Sequence, residues 1–506
     1  MFDNFSLTQV GVKEITRPIK SQSIIEAKIN ADMSLIKKVL SVSAKVYPNM
    51  SANSVSEGIV KYGGTCCFTM LYQDDEGAIK KSENMVEFSH SCQNADIKGG
   101  ANASIKMECE KTEVKNNLFS CILCSEIFLN YSKNISFLDQ AQDIMFKKEE
   151  ITLAVPSANI NAVHKLTEKI NKNDTVEEIL MSGASVVLKE STCSSLSLIC
   201  EGDVYLNILV KIGGGEIKSY LEKIPFKAEM KNEMIMPNFY AVCDASVKLC
   251  RVAAESFENS KKSILIADIE LNICGEAYEQ RTIESPTDAF SIKNHIELSS
   301  STAEYAAFKK TDIFTEKISG NSNAAVVFEN PVKIIAVTPK NIMIANTAVS
   351  ENTVTVDGII AMDAVYKDIE DKMSLTELEF PFSCNLSLSD LQKNDIIRLS
   401  ALVSNVYCKC KKEKEIETDA ELKIKITVYS LEKISGYDNI KLLQEKEERK
   451  NAVTVYFPKG EDSLWDVAKE LNCTGEEIMS QNKDLKFPVG DSQQFVVLYK
   501  QRKIDY

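Results

Sequence analysis

One tryptophan, three histidines and six arginines are all that 506 residues supply of three side chains that often carry recognition or chemistry. The histidines, His90, His164 and His295, fall in no His-x-His or His-Glu-x-x-His pattern, so neither a zinc site nor an imidazole general base is spelled out. Scarce arginine removes the planar fork that grips phosphate in two places. With a net charge of −14 and no clustered Lys or Arg, the chain is not expected to bind nucleic acid. No apolar run approaches the roughly 18 to 20 residues needed to cross a bilayer, so membrane insertion is not expected. Residues Met1 to Lys13 lack the basic stretch, apolar stretch and cleavage site of a secretory signal, which makes the cytoplasm the expected compartment.

What is present points to a large folded protein without chemistry of its own. A hydrophobic content of 44% is ordinary for a globular chain, and 506 residues suggest about three to four domains. The fifteen cysteines are irregularly spaced and odd in number, which reads as reduced thiols in packed interiors. Cys121 and Cys124 form a CxxC pair, but on a strand, residues three apart point to opposite faces and cannot share a ligand. Adjacent Cys66 and Cys67 split the same way, and Cys408 and Cys410 share a face with no histidine near them in sequence. Gly213-Gly214-Gly215 lacks the following helix that a phosphate cradle needs and reads as a hairpin turn. No carboxylate pair stands out. No catalytic residue, metal or cofactor is expected.

An internal repeat organises the first 435 residues. Gly64, Gly202 and Gly358 are each followed 24 residues later by Phe88, Phe226 and Phe382. Between them lie Leu71, Leu209 or Val365, then an acidic or glycine-rich turn, then Ile79, Ile217 or Met373 at one shared offset. That order is strand, turn, strand. Ala103, Ile105, Met107 and Cys109, and again Leu422, Ile424, Ile426 and Val428, alternate with polar residues, as one-sided strands do. The reading is mainly β: three tandem antiparallel sandwich- or barrel-like units at 1–150, 151–295 and 296–435. A charged linker or short helix at 436–452 would then tether a small terminal domain at 453–500 as a mobile recognition head.

That last domain carries the most specific pattern. Val453-Thr-Val-Tyr-Phe-Pro-Lys-Gly460-Glu461-Asp462-Ser463-Leu464-Trp465-Asp-Val467-Ala, then Thr474-Gly-Glu-Glu477-Ile478 and Asn482, resembles a LysM module. The resemblance implies a βααβ fold with Leu464, Trp465, Val467 and Ile478 in its core. It also implies ligand-facing loops at Gly460, Glu461, Asp462 and Ser463 and at Asn482, Leu485 and Phe487. Asp462 or Ser463 would cap the first helix, and Thr474-x-x-Glu477 would open the second as a capping box. The first loop has one residue more than the family's usual Gly-Asp-Thr-Leu-Trp, and Leu498-Tyr499 replaces a terminal Ile-Pro. The repeats, with Val86 to Ser89, Ile224 to Phe226 and Phe380 to Phe382 closing each hairpin, resemble the SPOCS domain of spore-coat-associated proteins. Tandem copies before one LysM resemble the clostridial spore coat morphogenetic proteins. This implies a non-enzymatic scaffold of the mother-cell cytoplasm at the forespore surface, whose LysM domain docks a protein partner in the coat basement layer. The alternative is a LysM that binds peptidoglycan or other N-acetylglucosamine glycans.

Overall fold

Leu378, Phe380, Phe382, Cys384 and Leu386 are all buried and alternate with exposed Glu379, Pro381, Ser383 and Asn385, so this stretch forms the strand its period-two pattern dictates. The computed structural model describes residues 5–256, 262–324, 333–368, 370–412, 415–447, 453–459, 461–489 and 495–499. Among these the chain is mainly β, and its only two α-helices lie near the C-terminus. The first strands are β1 (Phe5–Ile15), β2 (Ile19–Lys28), β3 (Lys38–Pro48), β4 (Ser54–Ser56), β5 (Ile59–Gln73), β6 (Ile79–Gln93), β7 (Asn102–Lys115) and β8 (Leu118–Ala141). Next come β9 (Ile144–Lys172), β10 (Val176–Ser194), β11 (Ser197–Ile212), β12 (Ile217–Lys231), β13 (Tyr240–Ser256) and β14 (Ser263–Ser291). A third set follows: β15 (Asn294–Ala324), β16 (Lys333–Ser350), β17 (Thr353–Lys367), β18 (Met373–Ser387), β19 (Ile396–Lys412) and β20 (Glu415–Glu445).

Each set pairs in the same way. A sheet β3-β5-β6 faces β2-β8-β7, β10-β11-β12 faces β9-β14-β13, and β16-β17-β18 faces β15-β20-β19, all antiparallel. Both sheets of each set feed one apolar core, with Phe68 and Phe119 in the first, Leu206 and Leu271 in the second, and Ile360 and Ile424 in the third. Gly64 lies directly across the hairpin from Phe88, Gly202 from Phe226 and Gly358 from Phe382. The missing side chain makes room for the ring: a Cβ on Gly358 would stand 2.7 Å from Phe382 Cε1 and 2.5 Å from the Met343 carbonyl oxygen. Phe226 and Phe382 are buried, whereas Phe88 is only half-buried.

The three sets are packed on one another. Leu71, Leu209 and Val365, with Leu40, Ile79, Leu180, Ile217, Ala336 and Leu375, form a single buried cluster, and Met373 packs against it. Equivalent repeat positions therefore meet at one centre, the arrangement of a pseudo-threefold ring. Beyond the sandwiches the long strands run on as three ribbons, β1 with β8, β9 with β14 and β15 with β20. These meet in a second cluster containing Val10, Phe137, Val155, Ile283, Tyr305 and Ile434. Polar links cross between sets as well: Ser41 donates to the buried Asp363 at 2.8 Å, and Lys340 reaches the Val42 carbonyl at 2.7 Å. The chain passes between sets at 142–143 and 292–293, so β9 crosses position 150 without a break. The stretch 436–445, expected as the start of a linker or short helix, is instead the continuation of β20 in the third ribbon. Residues 448–452 lie outside the described residues.

The CxxC thiols fall on opposite faces of β8. Cys121 is buried in the first core, and Cys124 points the other way, where it donates to Glu110 Oε2 at 3.0 Å. Gly213–Gly215 is the β11–β12 hairpin turn, with Gly214 and Gly215 at φ of 88° and 79°.

Candidate functional site

The terminal unit is built from β21 (Val453–Tyr456), α1 (Leu464–Leu471), α2 (Gly475–Gln481) and β22 (Val496–Tyr499), with β21 and β22 antiparallel. Ser463 caps α1: its Oγ accepts from the Asp466 amide, and Asp466 accepts in return from the Ser463 amide at 3.0 Å. The Ser463 hydroxyl, which donates to Asp466 Oδ2 at 2.5 Å, and the Ser463 amide together hold the Asp466 carboxyl below its ordinary range. Thr474 Oγ1 accepts from the Glu477 amide at 3.0 Å and starts α2. Val467, Leu471 and Ile478 turn inward onto Val496 and Leu498, while Leu464 lies half-buried at their edge.

The two loops expected to face a ligand are largely occupied in holding the unit together. Asp462 accepts from the Tyr456 hydroxyl at 3.0 Å and the Lys459 amide at 2.7 Å, and its carbonyl takes the Val489 amide, which ties one loop to the other. Asn482 donates to the Ile478 and Val497 carbonyls at 2.9 and 2.7 Å and accepts from the Val497 amide at 2.9 Å. It is a structural peg between α2 and β22 rather than a surface contact. Leu485 and Phe487 pack against the core. Of the expected loop positions that are described, Glu461 alone is exposed, and Gly460 lies outside the described residues.

Trp465 does not occupy the centre of this core. Its ring meets Phe290 of β14 edge-on, centroids 5.0 Å apart at 70°, and its Nε1–H donates to Asp288 Oδ2 at 2.8 Å. Lys469, one turn on, donates to both oxygens of Asp288 at 2.7 and 2.8 Å. Burial pushes the Asp288 carboxyl up, but Lys469 and Trp465 outweigh it and hold the group below its ordinary range. Phe290 and Ile292 complete the apolar cluster of Val467, Ala468 and Ile478, and Lys446 bridges the Ser291 carbonyl to the Asn472 side chain. The terminal unit is thus seated on the tip of the second ribbon, contrary to a freely tethered head. Asp288 can reach it because the β9–β14 register shifts between Pro286 and Asp288, and such an irregularity re-aims the side chain that follows. Sequence alone gave no hint of this acid.

The opposite side of the unit is bare. Val453 pairs with Tyr499 and Val455 with Val497 across the small sheet. Phe457, 66% exposed, lies with its ring 6.2 Å from Phe495, and Tyr499 is 54% exposed. Apolar side chains therefore cover the outward face of a two-stranded sheet whose inward face holds Val496 and Leu498.

Residues 332–411 match the family model described as SipL, SPOCS domain. The match takes in β16 to β18 and nearly all of β19, the strands that carry Gly358, Phe382 and the central Val365. It points to a sporulation-related protein. Comparison with curated proteins and with solved structures gave no match. Among the described residues no three His, Cys, Asp or Glu side chains are grouped to hold a metal ion. No helix among them is long and apolar enough to cross a membrane.

Proposed function

We propose that this chain is a non-enzymatic assembly protein of the spore coat, with the SPOCS-type repeats as its body and the terminal βααβ unit as its docking element. The observation that carries this reading is the exposed apolar face of Val453, Val455, Phe457, Phe495 and Tyr499 on a unit whose other side is anchored to the body. Contiguous exposed aromatic and aliphatic side chains are the usual material of protein interfaces. An anchored unit presents them in a fixed direction, which lowers the entropy cost of binding. The partner is a second morphogenetic protein at the forespore surface, and the resemblance to a LysM module favours recognition here over recognition by the repeats. A glycan reading is less favoured because Asn482, Leu485 and Phe487 are engaged internally.

The test is co-purification from sporulating cells of the full chain against a Val455→Glu, Phe457→Ser variant, with purified peptidoglycan as a parallel bait. Loss of a coat protein from the variant's eluate, with thermal stability kept, supports docking. Retention on peptidoglycan with no coat protein bound by either form overturns it.

A further inference from the structure

A cavity of about 600 Å³ lies where the three repeats meet, lined by Asn130 of β8, Asp244 of β13, Glu276 of β14, Arg398 of β19 and Lys425 and Tyr429 of β20. Its lining positions fall between those feeding the two shared clusters: Leu40 precedes the lining residue Lys45 on β3, and Phe137 follows Asn130 on β8. Two ion pairs stand at its wall. Lys425 donates to Asp244 at 2.7 Å, and Lys13 pairs with Glu276. Asp244 lines the cavity and keeps 53% of its side-chain surface accessible. Burial pushes its carboxyl up, yet Lys425, Arg398 and Lys13 together hold it below its ordinary range, so these charges feel one another.

Arg398 is the unbalanced member. Its guanidinium stacks over the Phe128 ring at 4.9 Å and lies 5.5 Å from the Tyr429 ring, and it donates to Asn130 Oδ1 at 2.8 Å. Its Nε is buried without an acceptor, and among the described residues no carboxylate pairs with it. The lining carries five cations, Lys45, Lys106, Lys340, Arg398 and Lys425, against three carboxylates, Glu108, Asp244 and Glu276. Arg398 is partly buried and lines the cavity, so an anion that enters can offset its charge. A guanidinium held rigid by two rings and an amide, with donors left over, is shaped for an oxyanion.

We propose that this cavity binds a small oxyanion, a carboxylate or a phosphate group, on Arg398. The ligand bridges no covalent step; it supplies the missing negative charge and couples the three repeats.

The experiment is calorimetry and thermal melting of the full chain with inorganic phosphate and, separately, acetate, each matched in ionic strength by sodium chloride. Saturable binding in the phosphate arm alone assigns phosphate, and in the acetate arm alone a carboxylate. Arg398→Gln should weaken that binding at least about tenfold. Asn130→Asp is the second variant, nearly isosteric, which places a permanent carboxylate on Arg398. It should melt higher than the parent in chloride and lose the response to added anion. No saturable binding of either probe, or binding that survives unchanged in Asn130→Asp, overturns the proposal.

Discussion

Replacing Asp288 with alanine should release the terminal unit from the ribbon that carries it. The carboxylate takes a hydrogen bond from Trp465 Nε1 at 2.8 Å and an ion pair from Lys469, whose side chain is 46% exposed. A hydrogen bond to a charged group is worth about 1.5–3 kcal/mol. An ion pair this exposed adds less than about 1 kcal/mol. The indole N–H can find water once the unit lifts, so the loss is set at about 2–3 kcal/mol, roughly a 30- to 150-fold shift toward the undocked form. The edge-on contact with Phe290 survives the substitution and opposes complete release. Trp465 is the one tryptophan of the chain, so its emission reports this contact without labelling. Asp288→Ala should shift that emission to the red and raise its quenching by acrylamide, a neutral quencher indifferent to the lost charge. Acidification gives an independent check. The docked carboxyl is held below 3.8, so its contribution is complete above pH 3.8 and falls away as pH drops through the docked value. Emission and quenching identical to the parent in Asp288→Ala, at equal thermal stability, would refute the latch.

Two further substitutions follow from the geometry. Asn482→Ala removes three hydrogen bonds and strands the Val497 amide, so it should destabilise the terminal unit by about 1–3 kcal/mol, seen as an earlier transition in its thermal melt and not as a selective loss of partner binding. Gly358→Ala sets a methyl 2.5 Å from the Met343 carbonyl oxygen and 2.7 Å from the Phe382 ring, and forcing β16, β17 and that ring apart should cost about 1–3 kcal/mol in a urea titration.

What the sequence reveals here depends on how far along the chain the cause lies. A hairpin's register is fixed by its turn, so a glycine and the phenylalanine opposite it keep a constant spacing in every copy, and 24 residues is short enough to notice three times. Leu71, Leu209 and Val365 are visible as equivalent positions for the same reason. That they touch one another is not visible, because packing between repeats leaves no period in any one of them. The terminal unit divides along the same line. Ser463 and Thr474 cap helices through bonds three residues long and read directly from the pattern. Asn482 reaches Val497, fifteen residues away, and looks like one more polar residue after a helix.

Ser435-Gly436 makes the point most sharply. A serine and a glycine ahead of a charged run carry the composition of a linker, and by local chemistry alone the reading is sound. Yet Gly436 is buried in β20, and a Cβ there would stand 2.5 Å from the Phe137 ring of the first ribbon. The glycine is present because two ribbons of different repeats approach closely at that point. The charges on either side are the wet side of a strand: Lys433, Lys441 and Glu445 are exposed, while Ile434 and Ile440 turn inward. The same residue type marks a loop when its cause is local and a close approach when its cause lies 300 residues away in the chain, about the span from Phe137 to Gly436. Only the position of the aromatic ring distinguishes the two, and the strand that replaces the expected linker runs on to Glu445 beside a terminal unit seated on the second ribbon by Asp288 and Phe290.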